Sequence, residues 1–112
     1  MNKGELAEQL ACTYLQQQGL HLIEKNYRCR QGEIDLVMRQ GDSLVFIEVR
    51  QRSDARFGGA LASVTTKKQE KLRLAALHYL QHNAPRANAR FDVVAVQGTS
   101  AAQHIEWIRD AF

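Results

Sequence analysis

Long apolar runs and paired cysteines are missing from this sequence. No apolar run exceeds four residues, as in LVFI at 44–47, so we expect no membrane-spanning segment and no signal-peptide core. The two cysteines, Cys12 and Cys29, form neither a CxxC pair nor a zinc-binding spacing. We therefore interpret them as reduced thiols and expect a cytoplasmic protein with no membrane partner.

Several catalytic motifs are also missing. The sequence contains no glycine-rich phosphate loop and no nucleophile elbow, which argues against nucleotide hydrolysis and esterase chemistry. His78 and His82 have the i, i+4 spacing of a helical zinc pair, but no glutamate or third ligand completes that pattern. The length of 112 residues, with 45% apolar and 24% charged residues, predicts one globular domain over residues 1–112.

Positive charge is concentrated in the middle of the chain. Residues 28–73 hold ten of the fifteen Lys and Arg residues but only six of the twelve acids, so this segment has a net charge of +4 and the remainder −1. Clustered cations are typical of proteins that contact phosphate groups. The alternative is a solvated basic surface without a partner, which charge alone favours.

Hydrophobic periodicity predicts two helices and five strands in the order α-β-β-β-α-β-β. The first helix should end at Gly19, and the second should begin near Thr66 with a Thr66–Gln69 capping box. The connection of the third strand to the fourth through a helix resembles a crossover unit, so we predict an α/β fold with a mixed sheet and helices on its faces. The apolar stripe of the first helix comprises Leu6, Ala7, Leu10, Ala11, Tyr14 and Leu15. The predicted elements are a helix over 2–18, strands over 21–27, 33–38 and 43–49, a helix from 66 to before 83, and strands over 90–96 and 104–108.

Two carboxylates interrupt the strongest hairpin signal, EIDLVMRQGDSLVFIEVR at 33–50. A two-residue loop at Gly41-Asp42, with glycine first as in a type II′ turn, places Asp35 directly opposite Glu48. Cβ atoms of directly opposed residues are about 4.5–5.5 Å apart. The same register predicts an apolar face with Ile34, Leu36, Met38, Val45, Ile47 and Val49. The opposite, mixed face should hold Asp35, Val37, Arg39, Leu44, Phe46, Glu48 and Arg50.

Two carboxylates in contact repel each other unless a cation or a proton lies between them. A divalent metal ion meets this need, because Mg²⁺ takes one or two carboxylates and leaves its other positions to water and substrate phosphate. Such a site suits metal-assisted phosphodiester hydrolysis. Alternatively, Arg39, Arg50 or Arg52 neutralises the pair without a metal ion. The spacing leaves both interpretations open.

A wider set of motifs resembles a known family. The segments GEIDL at 32–36, LVFIEVRQR at 44–52, FG at 57–58 and FDVV at 91–94, with Lys68, resemble the bacterial YraN-type family. That family is similar in turn to archaeal Holliday-junction resolvases of the PD-(D/E)xK, restriction-endonuclease-like superfamily. The resemblance covers essentially the whole chain. It implies a restriction-endonuclease-like sheet, a nucleic-acid partner that is DNA rather than RNA, and a homodimer.

The resemblance also implies a metal centre for Mg²⁺ or Mn²⁺. Asp35 matches the metal-binding aspartate of the superfamily and Glu48 its second acid, with the Val49 backbone carbonyl and water as further ligands. Glu5 matches an acid on the first helix that assists the metal site, although the helix dipole alone also favours an acid there. Arg50 stands where the superfamily has its motif lysine. Arginine supplies positive charge and hydrogen bonds to phosphate but cannot act as a base.

Five further residues are candidate nucleic-acid contacts. Arg52 and Arg56 flank a glycine-bearing loop. Lys67 and Lys68 lie in the first turn of the second helix, where cations oppose the helix dipole and an incoming phosphate would relieve the conflict. The alternative for this lysine pair is a mildly unfavourable surface cluster. Gln69 is expected to be a neighbour of the active site.

These observations lead to three hypotheses. The first is a Mg²⁺- or Mn²⁺-dependent endonuclease that acts on branched or damaged DNA through Asp35, Glu48, Glu5 and Arg50. The second is a catalytically inactive nucleic-acid-binding or adaptor protein that retains the nuclease fold, for which Arg50 in place of the motif lysine is the reason. The third is a protein-interaction domain without affinity for nucleic acid.

Overall fold

One five-stranded sheet with a helix on each face organises the described part of the chain. The computed structural model describes residues 2–52, 59–98 and 103–112. The elements are α1 (Lys3–Gln17), β1 (His21–Cys29), β2 (Gly32–Gln40), β3 (Ser43–Arg52), the short α2 (Gly59–Ala62), α3 (Thr66–Asn83), β4 (Asn88–Gln97) and β5 (His104–Ile108). Apart from α2, this order confirms the predicted α-β-β-β-α-β-β succession. No helix in these ranges combines the length and apolar character needed to cross a membrane.

The strands lie in the sheet in the order in which they occur along the chain. β1, β2 and β3 pair antiparallel, β3 and β4 pair parallel, and β4 and β5 pair antiparallel. Two antiparallel strands need only a tight turn between them, whereas the parallel pair needs a crossover, which α3 supplies. The predicted mixed sheet is therefore confirmed.

The turn between β2 and β3 sets the register of the hairpin. Gly41 has φ +59° and Asp42 is not left-handed, which is the pattern of a type II′ turn. The ladder then runs from Gln40–Ser43 to Leu36–Ile47. The predicted register is thus confirmed over these five pairs, and Asp35 and Glu48 are the next positions beyond the last pair.

Each face of the sheet covers its own apolar core. The α1-side core comprises Ala7, Ala11, Cys12, Leu15, Leu20, Leu36, Met38, Val45, Ile47, Val94 and Val96. The α3-side core comprises Ile34, Val37, Leu44, Phe46, Val64, Leu72, Ala75, Ala76, Tyr79, Val93 and Ala95. Because side chains alternate along a strand, neighbours such as Val45 and Phe46 belong to different cores.

The buried face of α1 is rotated from the predicted stripe. Leu6 is 43% exposed, whereas Cys12, which the stripe left out, is 4% exposed and packs in the α1-side core. The small residues Ala7 and Ala11 and the thiol of Cys12 let the helix approach the sheet closely. This rotation brings the side of α1 that carries Glu8 toward the sheet.

The face prediction was wrong for Ile34. This residue packs in the α3-side core, whereas Leu36, two positions along, packs in the α1-side core. Residues i and i+2 of a regular strand share a face, so the alternation of β2 is broken at Asp35 between them. Across the β1–β2 ladder, Tyr27 pairs with Ile34 and Lys25 with Leu36, and Asn26 between them has φ +53°.

A buried aspartate ties β4 to the end of the chain. Asp92 is fully buried and accepts two hydrogen bonds from the Arg90 guanidinium, at 3.0 and 3.2 Å. It also accepts the Trp107 indole N–H at 2.8 Å and the Asp110 backbone N–H at 3.0 Å. A buried charge is tolerated only when it is paired and hydrogen-bonded, and these four bonds meet that condition.

Removal of this charge should weaken the fold. We expect Asp92→Asn to lower the free energy of unfolding by about 3 kcal/mol, because it leaves Arg90 without its anion. Urea unfolding followed by circular dichroism measures the change. Asp42→Asn, an equivalent substitution in the exposed hairpin turn, should stay within about 0.5 kcal/mol of the parent. A loss below about 1 kcal/mol for Asp92→Asn would contradict this role.

Candidate metal centre

Asp35 bonds to the neighbouring strand through its side chain. The β2–β3 ladder ends at Leu36–Ile47, and beyond it the Asp35 carboxylate accepts the Val49 backbone N–H at 2.8 Å. A regular strand residue points its side chain away from the plane of the sheet. Because the alternation is broken at Asp35, its carboxylate can reach the Val49 N–H of β3.

Glu48 is a buried acid held by two cations. It continues the Leu44 and Phe46 side of β3 and is only 4% exposed. Its Oε2 atom lies 3.1 Å from Lys68 Nζ and 3.5 Å from Arg50 Nη1. The Lys68 contact is the closer of the two and crosses from α3 to the sheet, so the start of α3 and the end of β3 meet at this carboxylate.

The Asp35 and Glu48 carboxylates lie close enough to act on each other through hydrogen bonding and charge, as the hairpin register predicts. Burial, followed by the hydrogen bond and the charge of Glu48, raises the pKa of Asp35 to about 8, although the Val49 N–H acts in the opposite direction. An aspartate with this pKa retains a proton at neutral pH. The pair therefore holds at most one full negative charge until another cation arrives.

α3 begins at Thr66 as predicted, but its capping residue differs from the prediction. Thr65 is the N-cap, and its hydroxyl accepts the Lys68 backbone N–H at 3.2 Å. The Gln69 side chain donates to the Val64 carbonyl at 3.1 Å, so the predicted Thr66–Gln69 capping box is wrong. With this cap, Lys68 lies one turn before the buried Leu72 and reaches Glu48.

Arg50 connects the acid pair to the segment before α3. Its Nε donates to Ser63 Oγ at 3.0 Å, while its Nη1 contacts Glu48. Arg52 ends β3 and is half-buried, and Lys67 is exposed beside Lys68. Arg56 lies outside the described residues. The structure thus brings Arg50 and Lys68 to the acid pair, and the contacts of Arg52, Arg56, Lys67 and Gln69 with nucleic acid stay predictions.

Two acids of α1 lie near the site in different ways. Glu5 is exposed, and its carboxylate accepts the Asn2 side-chain amide at 2.9 Å. Glu8, one turn further, is half-buried, and its charge raises the pKa of Asp35. The pKa of Glu8 is itself raised, mainly by burial and then by Glu33, with smaller effects from Glu48 and Glu5. Glu8 is the residue of this site that the sequence did not reveal.

The donor set of the site fits Mg²⁺ or Mn²⁺. Asp35 and Glu48 would supply two hard carboxylate ligands. Mg²⁺ centres commonly have one or two carboxylate ligands, and water and phosphate fill the remaining coordination positions. Within the described ranges, no cluster of three or more His, Cys, Asp and Glu side chains has metal-binding geometry. His78 and His82 stack with ring centroids 4.2 Å apart, and His82 Nδ1 bonds to the His78 carbonyl. One ring nitrogen of His82 is therefore already engaged by the backbone.

The raised pKa of Asp35 gives a test by pH. Its folded-state pKa lies above its unfolded value, so the stabilisation due to this proton is complete below about pH 4 and is lost as the pH rises through about 8. Asp35→Asn mimics the protonated acid, since its amide accepts from Val49 and donates to Glu48.

We therefore expect the stability advantage of Asp35→Asn over the parent to grow between pH 5 and pH 9 by about 1–3 kcal/mol. This change corresponds to roughly 5–15 °C in melting temperature. Calorimetry in EDTA measures the shift, with Asp42→Asn as the exposed control. An advantage of Asp35→Asn that is constant, or that falls with pH, would show that Asp35 is ionised throughout this range.

Comparison with known proteins places the chain in a family. The model of the family described as "Uncharacterised protein family UPF0102" matches residues 7–96. A UPF0102 protein of Nitrosococcus oceani is 55% identical over 113 residues, covering 99% of this chain and 91% of the relative. One of Nitrosomonas europaea is 56% identical over 111 residues, with 99% and 93% coverage, and one of Legionella pneumophila is 50% identical over 115 residues, with 98% and 93% coverage. The chain belongs to the UPF0102 family, the YraN-type family that its motifs resemble.

Proposed function

We propose that this protein is a metal-dependent nuclease that cleaves phosphodiester bonds in DNA, with branched or damaged DNA as the substrate class. One observation carries the proposal: the half-buried Asp35 and the buried Glu48 are neighbouring carboxylates, and Glu48 contacts Lys68 and Arg50. A fold gains no stability from two adjacent acids that are partly or fully removed from water, so their presence favours a function that uses them. The resemblance to resolvase-type nucleases supports the same conclusion.

Asp35 and Glu48 would hold Mg²⁺ or Mn²⁺, with the Val49 carbonyl and water as the other ligands. Such an ion, when bound, would supply Lewis acidity toward the scissile phosphate and the attacking water. Removal of the proton from Asp35 accompanies metal binding, because only the ionised carboxylate is a good ligand. Burial of Glu48 keeps its charge in a low-dielectric setting, where each interaction with a cation is stronger than in water.

Lys68 and Arg50 supply the positive charge next to the acids. The Lys68 ammonium lies 3.1 Å from Glu48, so this helix residue provides the ammonium that position 50 lacks. In the proposed reaction, Lys68 stabilises charge that develops on the scissile phosphate, and the Arg50 guanidinium binds a phosphate oxygen. The start of α3 adds backbone N–H groups and its dipole, both of which favour an anion.

A second candidate function is a nucleic-acid-binding protein without catalytic activity. The contacts that favour it are the same Lys68 and Arg50 ion pairs, since two cations on one Glu48 oxygen already compensate its charge without a metal ion. Under this alternative, the site is a permanent ion-pair cluster. Binding to DNA would then depend on salt and not on Mg²⁺.

A cleavage assay separates the two functions. We expect the parent protein to cut branched, flapped or single-stranded DNA in Mn²⁺ or Mg²⁺ and to be inactive in EDTA. Asp35→Asn should reduce the rate by at least about 100-fold, because loss of a direct ligand exceeds the 10–100-fold effect of outer partners. Salt-dependent binding with no cleavage in any metal would favour the binding protein. Equal cutting by Asp35→Asn would overturn the proposed site.

The role of Lys68 has its own prediction. Lys68→Met should lower the cleavage rate by roughly 100-fold, as loss of one charge-stabilising donor does in other enzymes. Lys71→Met removes the same charge from an exposed position of α3 and should change the rate less than about threefold. Circular dichroism confirms that both variants fold. Equal rates for the two variants would show that Lys68 contributes only general positive charge at the surface and has no specific role at the acid pair.

A further inference from the structure

Asn26 has an unusual backbone at a critical position. It lies inside β1 with φ +53°, in the left-handed region. Asparagine tolerates this region better than other residues with a side chain, but a left-handed residue is uncommon in the middle of a strand. Asn26 lies opposite Asp35, because the ladder pairs on its two sides are Lys25–Leu36 and Tyr27–Ile34. Strain of this kind concentrates at functional sites.

Both strands change face at this point. Tyr27 and Ile34 pack toward α3, whereas Leu36 packs toward α1. One left-handed residue in β1 turns the side chains that follow it to the other face, and Asp35 is the corresponding residue of β2. This change of face occurs at the position where the Asp35 carboxylate accepts the Val49 N–H.

The Asn26 side chain makes a second connection. The Asn26 amide lies near the Glu8 carboxylate of α1 and lowers the pKa of that acid, and both residues line a groove of about 310 Å³ together with Glu5, Gln9 and Lys25. Glu8 is the α1 acid whose charge reaches Asp35 and Glu48. The side chain of Asn26 is thus next to Glu8, and its backbone lies opposite Asp35.

We propose that Asn26 is the positioning residue of the acid site: its left-handed backbone turns Asp35 toward Val49, and its side-chain amide holds Glu8 beside the acid pair. The structural part of this inference is independent of any activity. Its consequence for metal affinity rests on the proposed function.

A double-mutant cycle in EDTA tests the structural part. Asn26→Gly keeps the left-handed backbone and removes the amide, because glycine adopts positive φ at no steric cost. We expect Asn26→Gly and Glu8→Ala to be coupled, so that their combined effect on the unfolding constant departs about three- to tenfold from the product of the single effects. Asn26→Gly with Glu5→Ala is the matched control and should be additive. Additivity of Asn26→Gly with Glu8→Ala would overturn the proposal.

The backbone part is tested by a second variant. Asn26→Ala also removes the amide but resists the left-handed conformation, so it should raise the unfolding constant roughly 5–30-fold above that of Asn26→Gly. Equal stability of the two variants would show that the turn at Asn26 needs no special residue.

Mn²⁺ titration by calorimetry tests the consequence. We expect Asn26→Gly to weaken Mn²⁺ binding about tenfold, as outer-shell changes do. Asn88→Gly, an exposed asparagine at the start of β4 that pairs with Ser43 at the far end of β3, should change the affinity less than twofold. Unchanged affinity in Asn26→Gly would overturn the metal role of Asn26. The parent protein could fail to bind Mn²⁺ while Asn26→Gly and Glu8→Ala are still coupled in the double-mutant cycle. That result would refute the proposed function and support the positioning of Glu8 by Asn26.

Discussion

The bond from the Val49 N–H to the Asp35 carboxylate is the interaction on which the site depends. This bond occurs where the β2–β3 ladder stops. Beyond that point no backbone pairing with β2 is left for Val49, and the Asp35 carboxylate accepts its N–H instead. A backbone donor left unpaired inside a protein is costly. The site and the end of the hairpin ladder are therefore one structural feature, and a change in Asp35 affects both.

The electrostatic character of the site follows from this placement. Asp35 is held beside Glu48, and burial with the charge of Glu48 raises the pKa of Asp35 to about 8. Lys68 and Arg50 compensate Glu48 from one side. The compensation is incomplete, since Asp35 still retains a proton at neutral pH. Under the proposed function, a divalent cation would replace that proton, and Lys68 and Arg50 would then face an incoming phosphate.

The hairpin and its acid pair were predictable, because they depend on local rules. The glycine-aspartate turn determines the register, and the register brings Asp35 to Glu48. The parallel pairing of β3 with β4 was predictable as well, because the helix α3 between them supplies the crossover that parallel strands need. The faces of Val45, Phe46 and Ile47 follow the alternation of a regular strand.

Features that depend on departures from regular geometry were not predictable. Ile34 changes face because Asn26 is left-handed. The alternation rule assumes a regular extended strand, so it does not predict this change. Glu8 was missed because Cys12 was left out of the α1 stripe. If Cys12 is counted as apolar with Ala11 and Leu15, the wheel places Glu8, four residues before Cys12, on the buried face. The ion pair of Lys68 crosses from a helix to the sheet, which only the tertiary structure shows.

The central claim is that Asp35 and Glu48 together bind a divalent cation. Crystals soaked in Mn²⁺ and measured for anomalous scattering test it most directly. We expect one anomalous peak within about 2.0–2.4 Å of a carboxylate oxygen of each residue, absent from crystals of Asp35→Asn. A structure of the parent at high Mn²⁺ with no peak between the two carboxylates, and with Lys68 and Arg50 still on Glu48, would contradict it.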